Sequence, residues 1–161
     1  MPPITALLNT ENDGLRLGRC LETLYACDEI LVIERGSVDD SVRVARQYGA
    51  KIVYAQADAT SHAYAELVLQ YVRPGWILCL DARESLTESL ATSLLEWKAL
   101  RPTERAYSVF LREETAAGWV ENPTAETRLV PADWNRWMGR RPVGDPGALP
   151  LDGALLRFAF P

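Results

Sequence analysis

Short apolar runs that end in a carboxylate constrain the fold of this chain more than any other feature. Residues 29–33 (EILVI) run into Glu34, and residues 76–80 (WILCL) run into Asp81. Apolar runs of this length are typical of strands that are buried on both faces of a parallel sheet. Because ligands of open α/β sheets bind beyond the carboxyl ends of the strands, Glu34 and Asp81 are predicted to open into one shared cleft.

Strand and helix patterns alternate along the first hundred residues. Strands are predicted at residues 4–8, 29–33, 51–54 and 76–80. Helices are predicted at residues 15–25 and 38–48, a third helix begins at about residue 61, and a fourth begins after residue 87. Apolar residues recur at spacings of three and four in these helices, which predicts one buried face on each. The apolar positions of these helices include Leu15, Tyr25, Tyr48, Leu69 and Leu95. Ser37 is expected to cap the second helix, and Thr87 or Ser85 the fourth; the element order is that of right-handed parallel crossovers.

The pattern changes after residue 104, where short β-like segments replace the helices. Strands are predicted at residues 106–111, 119–120 and 127–130, a loop over 133–150, and a last edge strand at 155–160. Glycines and prolines separate these segments, which favours turns between them. The whole chain, residues 1–161, is therefore predicted to form one α/β domain with a short β-rich C-terminal extension.

Composition excludes several classes of protein. The 161 residues are 48% hydrophobic and 24% charged, which suits one well-filled core. A formal charge of −5 argues against a broad nucleic-acid surface. No run approaches the length of a membrane span, and the first residues lack the pattern of a signal peptide. Cys20, Cys27 and Cys79 have no CxxC spacing and are expected to be reduced thiols, which predicts a cytoplasmic protein.

Three N-terminal segments resemble the family 2 glycosyltransferases of the GT-A fold, in particular the group near lipopolysaccharide core and heptose-adding enzymes. The segments are ITALLNTENDGLRLGRCLETL, DEILVIERGSVDDSVRVARQYGAKIV and GWILCLDARESLTESL. The likeness continues thinly as AYSVFL, GWV, ETRLV and LDGALLRFAF. It implies a three-layer sandwich around a mostly parallel sheet. Residues 1–104 would form the nucleotide-binding half, and residues 105–161 an acceptor-side extension.

The resemblance implies roles for individual residues. Thr10, Asn12 and Asp13 fall on the loop that contacts the nucleotide's base and ribose in the family, and Glu34 falls where the family usually has an aspartate for that contact. Asp81 falls on the first acid of the Asp-x-Asp motif. Carboxylates there hold a divalent cation, Mn²⁺ or Mg²⁺, that neutralises the diphosphate leaving group. A further carboxylate deprotonates the acceptor hydroxyl.

The sequence departs from the family at chemical positions. Arg83 replaces the second acid of the motif, which weakens the cation site, and its guanidinium could pair directly with the diphosphate. The family's catalytic aspartate aligns near Thr124, which leaves Glu121 and Glu126 as candidate catalytic bases. Ala65 and Glu66 stand in place of the family's Arg-Asn pair, and Arg140-Arg141-Pro142 stands near its His-Glu pair. Glu84 is expected to be a carboxylate at the start of a helix.

Three functions remain open from sequence. The first is a transferase that binds a nucleotide sugar, or its nucleoside diphosphate, and glycosylates a saccharide or cell-surface acceptor. The second is an inactive binding or interaction module, and the third is a structural domain. A dinucleotide-binding fold is not favoured, because the loop at residues 9–14 contains a single glycine. The sequence does not indicate the oligomeric state.

Overall fold

The computed structural model describes residues 1–55 and 60–161, and within them nine strands form one sheet. The strands of this sheet are β1 (Ile4–Thr10), β2 (Glu29–Glu34), β3 (Lys51–Tyr54), β4 (Trp76–Asp81), β5 (Glu84–Leu86), β6 (Tyr107–Thr115), β7 (Gly118–Glu121), β8 (Glu126–Pro131) and β11 (Leu149–Arg157). Between β8 and β11, a separate two-stranded ribbon contains β9 (Trp137–Met138) and β10 (Arg141–Pro142). The four strands predicted in the first hundred residues are therefore present.

The sheet is mostly parallel, as predicted. Its order is β3-β2-β1-β4-β8-β6-β11-β5, and β7 pairs with β6. Strands β1 to β4 pair in parallel, and β6 and β11 run in the same direction as these four. Only β5, β7 and β8, among the described strands of this sheet, run the other way. This order places β1 at the centre of the parallel half, between β2 and β4.

Four helices in the described residues cover the two faces of the sheet: α1 (Leu17–Leu21), α2 (Ser41–Gln47), α3 (Ser61–Tyr71) and α4 (Glu88–Ala99). Leu8 and Leu78 pack with residues of α1, α2 and α4, whereas Leu7 and Ile77 pack with α3. Neighbouring residues of a strand point to opposite faces, so each strand contributes to both cores. The architecture is the three-layer sandwich that the resemblance implies.

The first two helices are shorter than the sequence pattern predicts. Helix α1 begins at Leu17, which leaves Leu15 exposed, and it ends before Tyr25, which is exposed as well. Helix α2 begins at Ser41, so the prediction that Ser37 caps it is wrong. The Ser37 hydroxyl instead accepts a hydrogen bond from the amide of Asn12, because the loops after β1 and β2 are bonded to each other.

The later helices agree better with their prediction. Of the two predicted caps of α4, Thr87 is the one observed: its hydroxyl accepts a hydrogen bond from the backbone amide of Leu90 at 3.2 Å, whereas Ser85 lies in β5. Three positions predicted to be buried are instead exposed: Tyr48 at the end of α2, Leu69 on α3 and Leu95 on α4. The buried face of each helix is therefore narrower than its apolar residues suggest. Helix α3 begins at Ser61, as predicted, and residues 56–59 before it lie outside the described residues. None of the described helices has the length and apolar character needed to cross a membrane.

The C-terminal segment contains more strand than the sequence predicts. Strand β11 begins at Leu149, inside the predicted loop, and ends at Arg157. It lies between β6 and β5, so the prediction of an edge strand is wrong. Gly153 explains why the strand was hard to recognise: it adopts φ +93° at a bulge, where a Cβ would clash with the backbone of Leu90. Two prolines and two glycines lie in or just before this strand (Pro146, Gly147, Pro150 and Gly153), a composition typical of loops, although the strand is part of the sheet.

Candidate functional site

The ends of β2 and β4 lie on either side of β1 at one edge of the sheet. Thr10 pairs in register with Glu34, and Asn9 pairs with Asp81. Because neighbouring side chains of a strand point to opposite faces, Glu34 follows Thr10 toward α1 and α2, and Asp81 follows Asn9 toward α3. Glu34 does not line the cavity next to Asp81. The strand ends are neighbours, as predicted, but the structure does not bring the two carboxylates into one cleft.

Glu34 closes the turn that follows β2. Its carboxylate accepts the amide of Ser37, at 2.8 Å through Oε1 and at 3.2 Å through Oε2, and its side chain is buried. The buried hydroxyl of Thr10, on the neighbouring strand, donates to Asp13 Oδ2 at 3.0 Å. Both predicted nucleotide-binding residues therefore shape the backbone of the loops at this edge.

The loop after β1 is fixed to the loop after β2 by side-chain hydrogen bonds. Asn12, at φ +55°, accepts the amide of Val38 through Oδ1 at 2.8 Å. The amide of Asp13 donates to the hydroxyl of Ser41 at 2.9 Å. Asp13 also lines a cavity and lies 3.7 Å from the guanidinium of Arg16. Of the three residues predicted on this loop, Asp13 is thus the one that reaches the cavity.

A cavity of about 320 Å³ lies beyond the carboxyl ends of β1 and β4, and arginines dominate its wall. The arginines are Arg16, Arg83, Arg128, Arg140 and Arg141. Three carboxylates face them, those of Glu11, Asp13 and Asp81. The lining thus has two more arginines than carboxylates, although Glu84 and Glu126, which lie outside it, also pair with Arg128 and Arg141. The guanidinium groups that face the cavity can bind an anion.

Asp81 is held by arginines on both sides. Arg83 donates to Asp81 Oδ1 from its amide at 2.9 Å and from Nε at 3.0 Å, and to Oδ2 from Nη2 at 3.3 Å. Arg141 Nη2 lies 3.7 Å from Oδ2. Burial by itself would raise the pKa of Asp81, but the hydrogen bonds and charges of these arginines outweigh it and lower the pKa. Asp81 is therefore an ionised partner of Arg83 and Arg141.

The residues at this site do not fit a resident divalent cation. Mg²⁺ and Mn²⁺ prefer several oxygen ligands. Among residues 1–55 and 60–161, no three His, Cys, Asp or Glu side chains are grouped so that they could hold a metal ion. Both carboxylate oxygens of Asp81 already accept hydrogen bonds from Arg83. A cation bound there would have to displace a guanidinium group.

A buried ion-pair network supports the cavity wall from below. Arg128 donates to Glu84 Oε1 at 2.7 Å and Oε2 at 2.8 Å, and Arg157 Nη2 donates to Oε2 at 2.8 Å. Glu84 also accepts the amide of Asp81 at 2.8 Å. Burial would raise the pKa of Glu84 and lower that of Arg128, but their mutual hydrogen bonds reverse both shifts. The group therefore remains charged inside the protein.

This network corrects one expectation and adds residues that sequence reasoning missed. Glu84 belongs to β5 and is fully buried, whereas the sequence suggested a carboxylate at the start of a helix. Arg128 and Arg157 were not among the predicted site residues. A signal existed for Arg128, because an arginine within the apolar strand ETRLV needs a buried partner of opposite charge.

The two candidate catalytic bases lie in different places. Glu126 Oε2 accepts Arg128 Nη2 at 2.8 Å and Arg141 Nη1 at 3.2 Å. It faces a second cavity, of about 570 Å³, which shares Arg128 and Arg141 with the first. Glu121, on β7, is 81% exposed and lines a separate cavity beside Thr87. Arg141 contacts both Glu126 and Asp81, so the structure links Glu126, but not Glu121, to the cavity that contains Asp81.

Comparison with curated proteins finds relatives among bacterial glycosyltransferases. The chain is 31% identical over 93 residues to an uncharacterized glycosyltransferase of Rickettsia felis, and the aligned residues cover 56% of this chain and 32% of that protein. It is 28% identical over 98 residues to the lipopolysaccharide core biosynthesis glycosyltransferase LpsC of Rhizobium meliloti, 58% of this chain and 36% of that protein. A TPR repeat-containing protein of Synechococcus elongatus is 31% identical over 126 residues, 74% of this chain and 30% of that protein. No family model matches the chain.

Comparison with solved structures finds the same fold in nucleotide-sugar transferases. A mannosyltransferase from Pyrobaculum calidifontis, in complex with GDP-Man and Mn²⁺, has a TM-score of 0.53 and 21% identity, covering 67% of this chain and 35% of that one. Mannosyl-3-phosphoglycerate synthase from Rubrobacter xylanophilus has a TM-score of 0.51 and 21% identity, covering 70% and 39%. The chain spans about a third of the length of the curated relatives it matches. The chain has the GT-A fold of these solved structures, and over its aligned residues it is similar to proteins named as glycosyltransferases.

Proposed function

We propose that this chain binds a nucleotide-activated sugar by its diphosphate in the arginine cavity and transfers the sugar to a saccharide hydroxyl. The observation that carries the proposal is the cavity itself, where five arginines lie beyond the carboxyl ends of two central strands. A glycosyltransferase needs positive charge at that place, because the diphosphate leaves as an anion. Relatives named as glycosyltransferases support this choice.

The geometry supports separate roles for the arginines and for Glu126 in the transfer step. The bond between the sugar's anomeric carbon and the diphosphate oxygen breaks, and the acceptor oxygen forms the new bond to that carbon. Arg83 and Arg141 neutralise the charge that develops on the leaving diphosphate. Glu126 takes the proton from the acceptor hydroxyl as it attacks. Within the described residues, the hydrogen bonds that Glu126 accepts from Arg128 and Arg141 all end on Oε2.

The adjoining cavity beside Glu126 suits the acceptor. It shares two arginines with the diphosphate cavity, so an acceptor hydroxyl there would lie next to the bound donor. The donor cavity draws Asp81 and Arg83 from residues 1–104 and Arg128 and Arg141 from residues 105–161, which fits nucleotide and acceptor halves of one domain. Glu121 stays a prediction as the alternative base.

The nucleoside would extend from the diphosphate toward the loop after β1. Asp13 lines the cavity there, and Thr10, Asn12 and Glu34 hold the loops that would surround the base and ribose. We also assign the chain to family 2 and to the lipopolysaccharide core group, for which the relation to LpsC is the support. A cytoplasmic location is part of the proposal, and the three free cysteines support it.

Binding and turnover assays test the proposal together. Nucleoside diphosphates should bind in calorimetry, and a panel of nucleotide sugars should show hydrolysis or transfer to a saccharide. Glu126→Gln should lower turnover by roughly 100-fold or more while nucleoside diphosphate binding changes little. Glu121→Gln is the matched control and should retain activity. Absence of binding at millimolar nucleoside diphosphate would contradict the proposal, and binding without any turnover would leave the inactive binding module.

A further inference from the structure

We infer that Arg83 and Arg141 hold the diphosphate directly, without a bridging divalent cation, and that Asp81 is their counter-ion in the ligand-free protein. This inference rests on the proposed function, because it specifies how the same cavity binds the same ligand. It assigns Asp81 a role opposite to that of a metal ligand. The two roles predict opposite consequences for a neutral residue at position 81.

Arg83 presents the right geometry for a diphosphate. Its Nε and Nη2 both contact the carboxylate of Asp81, one on each oxygen. This is the forked arrangement in which a guanidinium group binds carboxylates and phosphates through paired hydrogen bonds. The side chain is 43% exposed, and it lines the cavity. A phosphate group entering the cavity can therefore replace Asp81 as the partner of Arg83.

Arg141 approaches the same carboxylate from the C-terminal part of the chain. Its Nη2 lies 3.7 Å from Asp81, and its Nη1 donates to Glu126 at 3.2 Å. The ribbon that carries it is anchored, because the amide of Gly139 donates to Ser61 on α3 at 2.7 Å. The guanidinium is thus held at the cavity by contacts made outside it. A preorganised cation of this kind stabilises a bound anion without reorganising.

A divalent cation at Asp81 would meet electrostatic opposition. It would lie next to two guanidinium groups that already neutralise the carboxylate, and like charges at such separations repel strongly where water is partly excluded. In the sequence, Arg83 stands where the resemblance implies a second metal-binding acid. The arginines therefore supply the charge that a cation would otherwise supply.

Calorimetric titration with UDP, GDP, ADP and CDP, in EDTA and in Mn²⁺, tests the inference on the whole chain. At least one of them should bind in EDTA, with a dissociation constant within about threefold of that in Mn²⁺. Binding in Mn²⁺ alone would overturn the inference and leave the proposed function standing. No binding in either buffer would overturn the proposed function itself.

Paired variants separate the two roles of Asp81. Asp81→Asn should leave affinity in EDTA within about threefold of wild type or tighten it, because the competing carboxylate is removed. Arg83→Gln should weaken binding by roughly 10- to 100-fold, the worth of charge-assisted hydrogen bonds to phosphate. Arg141→Gln should also weaken binding of the nucleoside diphosphate. Because Arg141 lies on a different element, a loss in both variants would show that the effect of Arg83→Gln is not caused by a local change in folding. Asp40→Asn and Arg43→Gln, an exposed pair outside the cavity, are the matched controls and should bind like wild type.

The outcomes are distinct. A loss of affinity greater than threefold in Asp81→Asn, or unchanged binding in both arginine variants, would overturn the inference. Thermal unfolding of each variant should show a transition within a few degrees of wild type, since these side chains are partly exposed.

Discussion

Two carboxylate–arginine groups lie three residues apart in the sequence and differ mainly in their exposure to solvent. Asp81, paired with Arg83 and Arg141, faces the cavity and is 30% exposed. Glu84, paired with Arg128 and Arg157, is completely buried. The chemical groups are the same in both. Exposure decides whether such a group can exchange partners with a ligand or only support the fold.

The carboxylate of the buried group, Glu84, lines neither the cavity beside Asp81 nor the one beside Glu126. It accepts hydrogen bonds from two guanidinium groups and from one backbone amide, and Arg128 also donates to the carbonyl of Cys79 at 3.0 Å. A buried charge is tolerated when such partners surround it, and it becomes costly when one of them is removed. In the exposed group, water can solvate whichever charge loses its partner. The comparison therefore predicts large stability effects at Glu84 and small ones at Arg83.

Glu84→Gln should have the largest effect on folding. The variant leaves Arg128 buried without its full counter-charge, so the free energy of unfolding should fall by about 3–5 kcal/mol. Urea unfolding of wild type and variant measures the change. A decrease in the free energy of unfolding of less than about 1 kcal/mol would contradict the claim that burial makes the Glu84 group more important for stability than the Asp81 group.

The free energy of unfolding should depend on pH because ionised Glu84 stabilises the folded protein, and this effect should be smaller than that of the substitution. The pKa of Glu84 is lowered from its ordinary value of 4.5 in the folded protein, so the unfolded chain binds this proton more tightly. Its contribution is present above about pH 4.5 and is lost as the pH falls through the folded pKa. The difference in unfolding free energy between wild type and Glu84→Gln should therefore shrink as the pH is lowered from 6 to about 3. A difference that stays constant over this range would contradict the assignment.

Arg83→Gln should have the smallest effect on folding. The pair with Asp81 is partly exposed, and such pairs contribute about 0–1 kcal/mol. Urea unfolding should give a value within that range, and Arg43→Gln, in the more exposed pair with Asp40, should give less. A loss above about 2 kcal/mol for Arg83→Gln would show that the cavity-facing group is structural as well.

Much of the fold could be predicted because its signals are local. The apolar runs at residues 29–33 and 76–80 form β2 and β4, and Thr87, one of the two predicted caps, begins α4. These features depend on neighbouring residues in the chain. The positions of helix ends were less predictable, because the loop that contains Ser37 is bonded to the distant Asn12.

The site was harder to predict because it depends on register and on distant partners. Glu34 and Asp81 both end strands, but they pair with Thr10 and Asn9, and this difference of one residue sends their side chains to opposite faces. No local pattern specifies that register. Arg141 reaches Asp81 from sixty residues further along the chain, which only the packed fold determines.

The central claim is that arginines, and not a cation, hold the diphosphate at the end of β4. A crystal structure of the chain with a bound nucleoside diphosphate, grown in Mn²⁺ and examined by anomalous scattering, tests it most directly. The account predicts diphosphate oxygens within hydrogen-bonding distance of Arg83 and Arg141, with no anomalous peak beside Asp81. A manganese peak coordinated by Asp81, between the carboxylate and the diphosphate, would contradict it.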